Sequence, residues 1–360
     1  MRKSVIRELL KVTQDPEIIS FAGGLPNPKS FPIEDLEDVF DHVMEHYGKE
    51  ALQYGTTQGY HRLRESLAER AAKDGIETTE DEIVITSGSQ QALDTIGKIF
   101  LNPGETAIVG LPSYLGGINA FRSYESNLEG IPLDGEGMQI DLLEEKIKEM
   151  LKDDIIPKFI YVIPTFQNPA GVVMPEKRRK KLIDIANEYD LVIVEDDPYG
   201  KLRFDVPPVK PIKAFDDEGR VIYMSTFSKI LSPGFRLAWT IASPELTRKM
   251  IICKQALDLC TNTFTQYLAD EFMRKGSLDL HIMKICEMYK PKRDLMIKYM
   301  KEYFPDGYIC HKPKGGMFAW VTLPEGIDTE TMFLDSIKEK VAYVHGKAFH
   351  VDGGGGRSMR

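Results

Sequence analysis

Lys229 closes the run Ser225-Thr226-Phe227-Ser228-Lys229, and Arg236 follows one short loop later in Pro233-Gly234-Phe235-Arg236. Both lie just past an apolar, β-like run at 221–224. A lysine captures an aldehyde as a Schiff base, and hydroxyls with a nearby arginine anchor a phosphate. Together they suit an aldehyde cofactor with a phosphate arm, the chemistry of pyridoxal phosphate. The pattern alone is weak, because most lysines are solvated surface charges.

Other polar groups follow β-like runs in the same way. After 82–86 comes Ser87-Gly88-Ser89-Gln90, where small residues open a helix and free N–H groups suit a phosphate. After 106–109 comes Tyr114, whose ring could lie against a flat cofactor or simply pack. After 159–163 comes Gln167-Asn168-Pro169, in which Asn168 can donate to a phenolate oxygen or serve a tight turn. After 191–194 comes Glu195-Asp196-Asp197-Pro198-Tyr199. Consecutive acids at a strand end are costly unless solvated or paired. Asp196 could pair with a protonated pyridine nitrogen and make the ring an electron sink, with Tyr199 bonded to the phenolate. A metal at these acids lacks a supporting cluster of further ligands, so no metal is expected.

The elements that must position these groups are legible as rhythm. Between 82 and 224 short β-branched runs alternate with helical patterns, the signature of an α/β domain with a largely parallel sheet. One unit is clear: a strand at 159–163, a helix from about Pro175 with Leu182, Ile185, Ala186 and Tyr189 in one stripe, and a strand at 191–194. In open sheets of this kind ligands bind beyond the C-terminal ends of the strands, where these polar groups fall. Helical patterns precede them at 5–13, 33–48 and 60–73. Beyond 245 long helices at 246–274 and 281–303 lead to strands at 317–323 and 341–344 around a helix at 329–340, a smaller α+β domain. Gly353–356 reads as a flexible loop or tail. The expected division is 1–32 (N-terminal helix and substrate loop), 33–245 (cofactor domain) and 246–360 (small domain, apparently truncated at its end).

Bulk properties narrow the class. The chain has 360 residues, with 42% hydrophobic and 28% charged, which suits two domains of a soluble protein. A net charge of -9 argues against a nucleic-acid partner, and the basic run 177–181 reads as a solvated helix face. No apolar run is long enough to span a bilayer, and the N-terminus lacks a signal-peptide block. The four cysteines are scattered, without a Cys-x-x-Cys pair, and suit free thiols in a reducing cytoplasm. The seven histidines show no metal-ligand spacing.

Motifs in order along the chain then carry a resemblance: Ile6-Arg7-Glu8-Leu9-Leu10-Lys11, Ser20-Phe21-Ala22-Gly23-Gly24-Leu25-Pro26, Leu52-Gln53-Tyr54-Gly55, Gly88-Ser89-Gln90-Gln91, Gln167-Asn168-Pro169, Glu195-Asp196-Asp197-Pro198-Tyr199, Phe227-Ser228-Lys229, Pro233-Gly234-Phe235-Arg236 and Lys314-Gly315-Gly316-Met317-Phe318. The chain resembles a fold-type I pyridoxal-phosphate aminotransferase of class I/II, and within it the kynurenine/2-aminoadipate group. The resemblance implies a three-layer α/β sandwich with a smaller α+β domain. It implies Lys229 as Schiff-base lysine and proton shuttle, Asp196 on the pyridine nitrogen, and Asn168 and Tyr199 on the phenolate. Tyr114 would stack on the ring, and Ser89, Gln90, Thr226, Ser228 and Arg236 would bind the phosphate. Tyr54 would reach the phosphate of the neighbouring subunit in a homodimer with shared active sites. Arg360 would clamp the substrate α-carboxylate, with Asn168 nearby, while Arg7 and the Gly24 segment meet the substrate side chain. The implied reaction moves an amino group from a 2-amino acid, with 2-aminoadipate, aromatic and branched-chain amino acids as candidates, to a 2-oxo acid, usually 2-oxoglutarate, in a ping-pong cycle.

Two departures stand out. Relatives run some tens of residues past the position of Arg360, and a terminal arginine is expected to be a poor rigid clamp. His345-Gly346 replaces a Pro-Gly pair, which is expected to alter the approach to Arg360. A β-lyase or decarboxylase on the same fold, and a non-catalytic pyridoxal-phosphate-sensing regulator domain, remain the competing readings. The carboxylate-clamp position and the short segment 1–19 disfavour them respectively.

Overall fold

The computed structural model describes residues 15–360. Its centre is a sheet of eight strands. After β1 (Ile19–Ser20), which lies outside this sheet, the sheet strands are β2 (Ile83–Thr86), β3 (Thr106–Leu111), β4 (Asn127–Asp134), β5 (Gly137–Met138), β6 (Phe159–Val162), β7 (Val192–Asp196), β8 (Val221–Thr226) and β9 (Ala238–Ile241). Their spatial order is β2-β9-β8-β7-β6-β3-β4-β5. Strands β4, β3, β6, β7 and β8 run parallel, while β9 is antiparallel to both β2 and β8.

Alternation within the strands makes the three layers. Ile108, Ile160, Val162 and Ile193 point to one face. There they meet α5 (Ile140–Lys152) and α6 (Glu176–Glu188) through Leu143, Ile147, Leu182 and Ile185. Ala107, Val109, Phe159, Tyr161 and Val194 point to the other. That face packs on α3 (Ser89–Phe100), α4 (Leu115–Arg122) and α7 (Pro244–Gln255) through Leu93, Ile96, Phe121 and Met250. A strand buried on both faces shows no polar alternation, which is why β2, β6 and β8 read as continuous apolar runs. A further core joins α1 (Ile33–Ala51), α2 (His61–Lys73), α8 (Thr263–Arg274) and α9 (Ser277–Tyr303) to the β2 and β9 end of the sheet.

After α9 come β10 (Ile309–Cys310), β11 (Val321–Thr322), α10 (Thr329–Lys338), β12 (Val341–Ala342) and β13 (Ser358–Met359). Strands β10, β11 and β13 form an antiparallel sheet. β12 pairs with β1, so the segment leading to Gly24 is stitched to the C-terminal part of the chain.

Several expectations need correction. The helix expected over 246–274 is two helices. Leu259 adopts φ +62°, and the Asn262 side chain accepts the Thr265 N–H to start α8. The strand expected over 317–323 pairs only at Val321–Thr322. The glycine run is no loose tail: the Gly356 carbonyl accepts both the N–H and the hydroxyl of Thr329, at 2.8 and 3.0 Å. Within the basic run, Arg179 is 1% exposed and donates to three carbonyls and Thr165, whereas its neighbours form exposed ion pairs. The helix expected at 5–13 lies outside the described residues.

Candidate active site

The polar residues singled out in sequence converge where the parallel strands end. β7 carries Glu195 and Asp196 at its end, and the pleat sends them to opposite faces. Glu195 accepts the N–H groups of Ile212 and Lys213 at 2.8 and 2.9 Å. Asp196 faces the other way, 2% exposed, and its Oδ2 accepts the Tyr161 hydroxyl at 2.7 Å. Its Oδ1 is buried without a partner among the described residues. Burial pushes the carboxyl up to about 7, against the Tyr161 bond, which lowers it. A buried carboxylate oxygen with nothing to accept from suits a cationic ring N–H.

Asn168 sits in a tight turn beyond β6, 2% exposed. Its Nδ2 donates to the Tyr199 hydroxyl at 3.4 Å, and its Oδ1 accepts Arg360 Nη1 at 2.8 Å. The Tyr199 phenol is held far above its usual range, chiefly by burial. It is therefore a hydroxyl donor at neutral pH, able to bond a phenolate oxygen.

Arg360 is not loose. It is 8% exposed, and its backbone exchanges hydrogen bonds with Val344, at 2.9 and 3.2 Å. Its guanidinium lies 4.2 Å from the Phe318 ring centroid and 4.9 Å from that of Phe349, and Nη2 donates to the Ala22 carbonyl at 2.8 Å. Two rings and the paired backbone hold the guanidinium in place. Burial lowers its pKa to about 10, still cationic at neutral pH, and Nε is buried without a partner among the described residues. His345 bridges to Met359, so the departure from Pro-Gly leaves this strand paired.

Lys229 Nζ donates to the Gly24 carbonyl at 3.2 Å. Burial lowers its pKa to about 8, helped by the charges of Arg360 and Arg236. A lysine so shifted has a large neutral, nucleophilic fraction. Gly24 has φ +57°, and a Cβ there would stand 2.6 Å from the Phe318 ring. That position therefore needs glycine twice over.

Ser89 and Gln90 open α3, Ser89 Oγ being buried without a partner among the described residues. Thr226 Oγ1 bonds Ser228 Oγ and accepts the Ser228 N–H, both at 3.0 Å. Arg236, at φ +51°, reaches the Ser87 carbonyl, and a Cβ on Gly88 would lie 2.3 Å from its Nη2. Arg236 thus stands at the N-terminus of α3, while Thr226, which leads to Ser228, and Thr86, which leads to Ser89, both pair with Ala238; such a set of donors suits a phosphate dianion. Tyr114 precedes α4, with its ring against Gly116. Tyr54 is 79% exposed on the surface. Arg7 lies outside the described residues. Among the described residues no group of acids, histidines and cysteines could hold a metal ion.

Sequence reasoning missed Tyr161 and Phe318 as parts of this site. Tyr161 sits inside the apolar run of β6, where a tyrosine looks like core. No signal in that segment marks it, because its alignment with Val194 is a matter of strand register.

The chain is similar to known proteins over most of its length. The family model for aminotransferase class I and II matches residues 25–359. An aromatic-amino-acid aminotransferase 1 of Thermococcus litoralis is 54% identical over 350 residues, covering 97% of this chain and 84% of that protein. The crystal structure of Pyrococcus horikoshii kynurenine aminotransferase, in complex with PMP, superposes with a TM-score of 0.97 at 52% identity, covering 100% of this chain and 89% of that one. The α-aminoadipate aminotransferase of Thermus thermophilus, complexed with N-(5'-phosphopyridoxyl)-L-leucine, gives 0.91 at 38% identity, covering 99% and 89%. The chain belongs to the class I and II aminotransferases, fold-type I transaminases that use pyridoxal phosphate.

Proposed function

We propose that this transaminase carries an amino group from a 2-amino acid to 2-oxoglutarate in two half-reactions, a ping-pong cycle. The observation that carries the reading is the Arg360–Asn168–Tyr199 chain, which joins a buried guanidinium to two donors in one network. The guanidinium suits the planar α-carboxylate of a substrate. Asn168 and Tyr199 suit the cofactor phenolate.

When bound, pyridoxal phosphate supplies the aldehyde and an electron-withdrawing ring. Lys229 Nζ would hold that aldehyde, then take and return the proton at the substrate Cα, aided by its lowered pKa. Asp196 would stay anionic against the ring nitrogen. Ser89, Gln90, Thr226, Ser228 and Arg236 would fix the phosphate, and Tyr114 would cover one face of the ring. The Phe318 ring and Gly24 would bound the substrate side chain, with Arg7 near its distal end.

The amino donor is an acid of the aromatic, kynurenine or 2-aminoadipate class. Relatives named for those substrates are 54%, 52% and 38% identical. The working unit is a homodimer in which Tyr54 completes the partner's phosphate site; its 79% exposure supports this. The division at 32 and 245 and a cytoplasmic location belong to the same reading. Four free cysteines support that location, and no helix among the described residues is long and apolar enough to cross a membrane.

The test is a half-reaction. Holoenzyme mixed with one amino donor alone should lose its cofactor absorbance band and release the matching 2-oxo acid, and 2-oxoglutarate should restore the band. If nothing changes until both substrates are present, the ping-pong reading fails.

A further inference from the structure

Asp196 owes its position to a residue outside the cofactor motifs. Tyr161 on β6 pairs in register with Val194 on β7. Val194 and Asp196 are two apart and share a face, so the tyrosine reaches along the strand to the carboxylate. Its side chain is fully buried, and its hydroxyl donates to Asp196 Oδ2 at 2.7 Å. Among the described residues Asp196 Oδ1 finds no donor.

The ring has no room to wander. Phe121 meets it edge-on with centroids 5.4 Å apart. On α4, Gly117 lies so close that a Cβ there would be 3.1 Å from the ring and 3.3 Å from the hydroxyl oxygen. Gly117 is thus the gap into which the phenol fits. The phenol is a dry, fixed donor, able to occupy one carboxylate oxygen and leave the other aimed at the cofactor.

We propose that Tyr161 is a positioning residue for the cofactor ring: through Asp196 it keeps the ring nitrogen protonated, with Gly117 supplying the space it needs. This rests on the reading that Asp196 faces that nitrogen. An anion in an apolar site holds its charge only if donors reach it. With the phenol removed, the carboxylate has no donor among the described residues and draws the shared proton from the ring. The ring then becomes a neutral pyridine and a weaker electron sink, although no substrate contact has changed.

The experiment uses holoenzyme reconstituted with pyridoxal phosphate labelled with 15N at the ring nitrogen. In wild type the nitrogen resonance should report a pyridinium. In Tyr161→Phe it should move toward the neutral pyridine value, and the half-reaction rate should fall about tenfold or more, with KM for the donor little changed. Gly117→Ala, which keeps the hydroxyl but crowds it, should shift the resonance in the same direction by less. An unmoved resonance in either folded variant overturns the proposal, whatever the rate does. Asp196→Asn separates the two readings. If it too leaves the resonance at the wild-type value, Asp196 does not face the nitrogen and the site reading itself fails.

Discussion

Arg360 Nη1 donates to Asn168 Oδ1 at 2.8 Å, and this single bond decides which end of the amide faces Tyr199. With the oxygen committed to the guanidinium, Nδ2 must point toward the Tyr199 hydroxyl, 3.4 Å away. On the proposed reading of the site, the substrate clamp and the phenolate donors therefore share one orientation.

Two substitutions at Asn168 should divide that linkage. Asn168→Asp keeps an acceptor for Arg360 but loses the amide donor. Asn168→Ala loses both. A hydrogen bond to a charged group is worth about 1.5–3 kcal/mol, so Asn168→Ala should lower kcat/KM by roughly ten- to a hundredfold. Asn168→Asp should retain donor KM better than Asn168→Ala, while cofactor affinity falls in both. Equal KM values for the two variants would show that the Arg360 contact does not orient the clamp.

Lys229 should weaken the cofactor-free protein near neutral pH. Its folded pKa is about 8, against 10.5 for a free lysine, because burial disfavours the charge. The unfolded chain therefore binds the proton more tightly, and the penalty is full below pH 8, fades between 8 and 10.5, and is absent above. Lys229→Met, which keeps the apolar stem, should melt higher than wild type at pH 7, by ~3 kcal/mol at most. The gap should close by pH 10.5. A gap independent of pH would assign it to methionine packing.

Hybrid dimers should reveal the shared site. Lys229→Ala and Tyr54→Ala homodimers should both be poor enzymes. In a hybrid of the two, one site carries both lesions and the other carries neither. Mixing and re-forming the dimers should restore about half of wild-type activity per hybrid dimer. No recovery, with hybrids demonstrated by mass, would place Tyr54 outside the partner's site.

Arg7 is expected to select the distal carboxylate of 2-aminoadipate. Arg7→Ala should then cut kcat/KM for 2-aminoadipate by about ten- to a hundredfold, with leucine and phenylalanine little affected. Parallel losses for every donor would make Arg7 a support of the fold.

The sheet was legible because β2, β6 and β8 are short apolar runs ending in chemistry-bearing residues. β9 was not, since Ala238–Ile241 follows the Arg236 loop so closely that it reads as part of it, and an antiparallel return needs no helix to announce it. Lys229, Asp196 and Asn168 could be found because each lies at or just past a strand end. Tyr161 could not, because its polar atom is aimed by a partner strand, and pairing register is invisible in one segment read alone. The firmness of Arg360 was equally hidden. It comes from Phe318 and Phe349, brought to either side by the fold.

Glu195, Asp196 and Asp197 look like three copies of one function, yet none can stand in for another. Glu195 is committed to the Ile212 and Lys213 amides, Asp196 to Tyr161, and Asp197 to the Gly200 N–H and the Tyr223 hydroxyl. An in-frame insertion or deletion of one residue in β7 would preserve the acidic triplet in composition and still scramble its assignments, because each acid would inherit its neighbour's surroundings. The triplet has no spare member. In a recombination or loop-grafting experiment, the phase of this strand is the quantity to conserve.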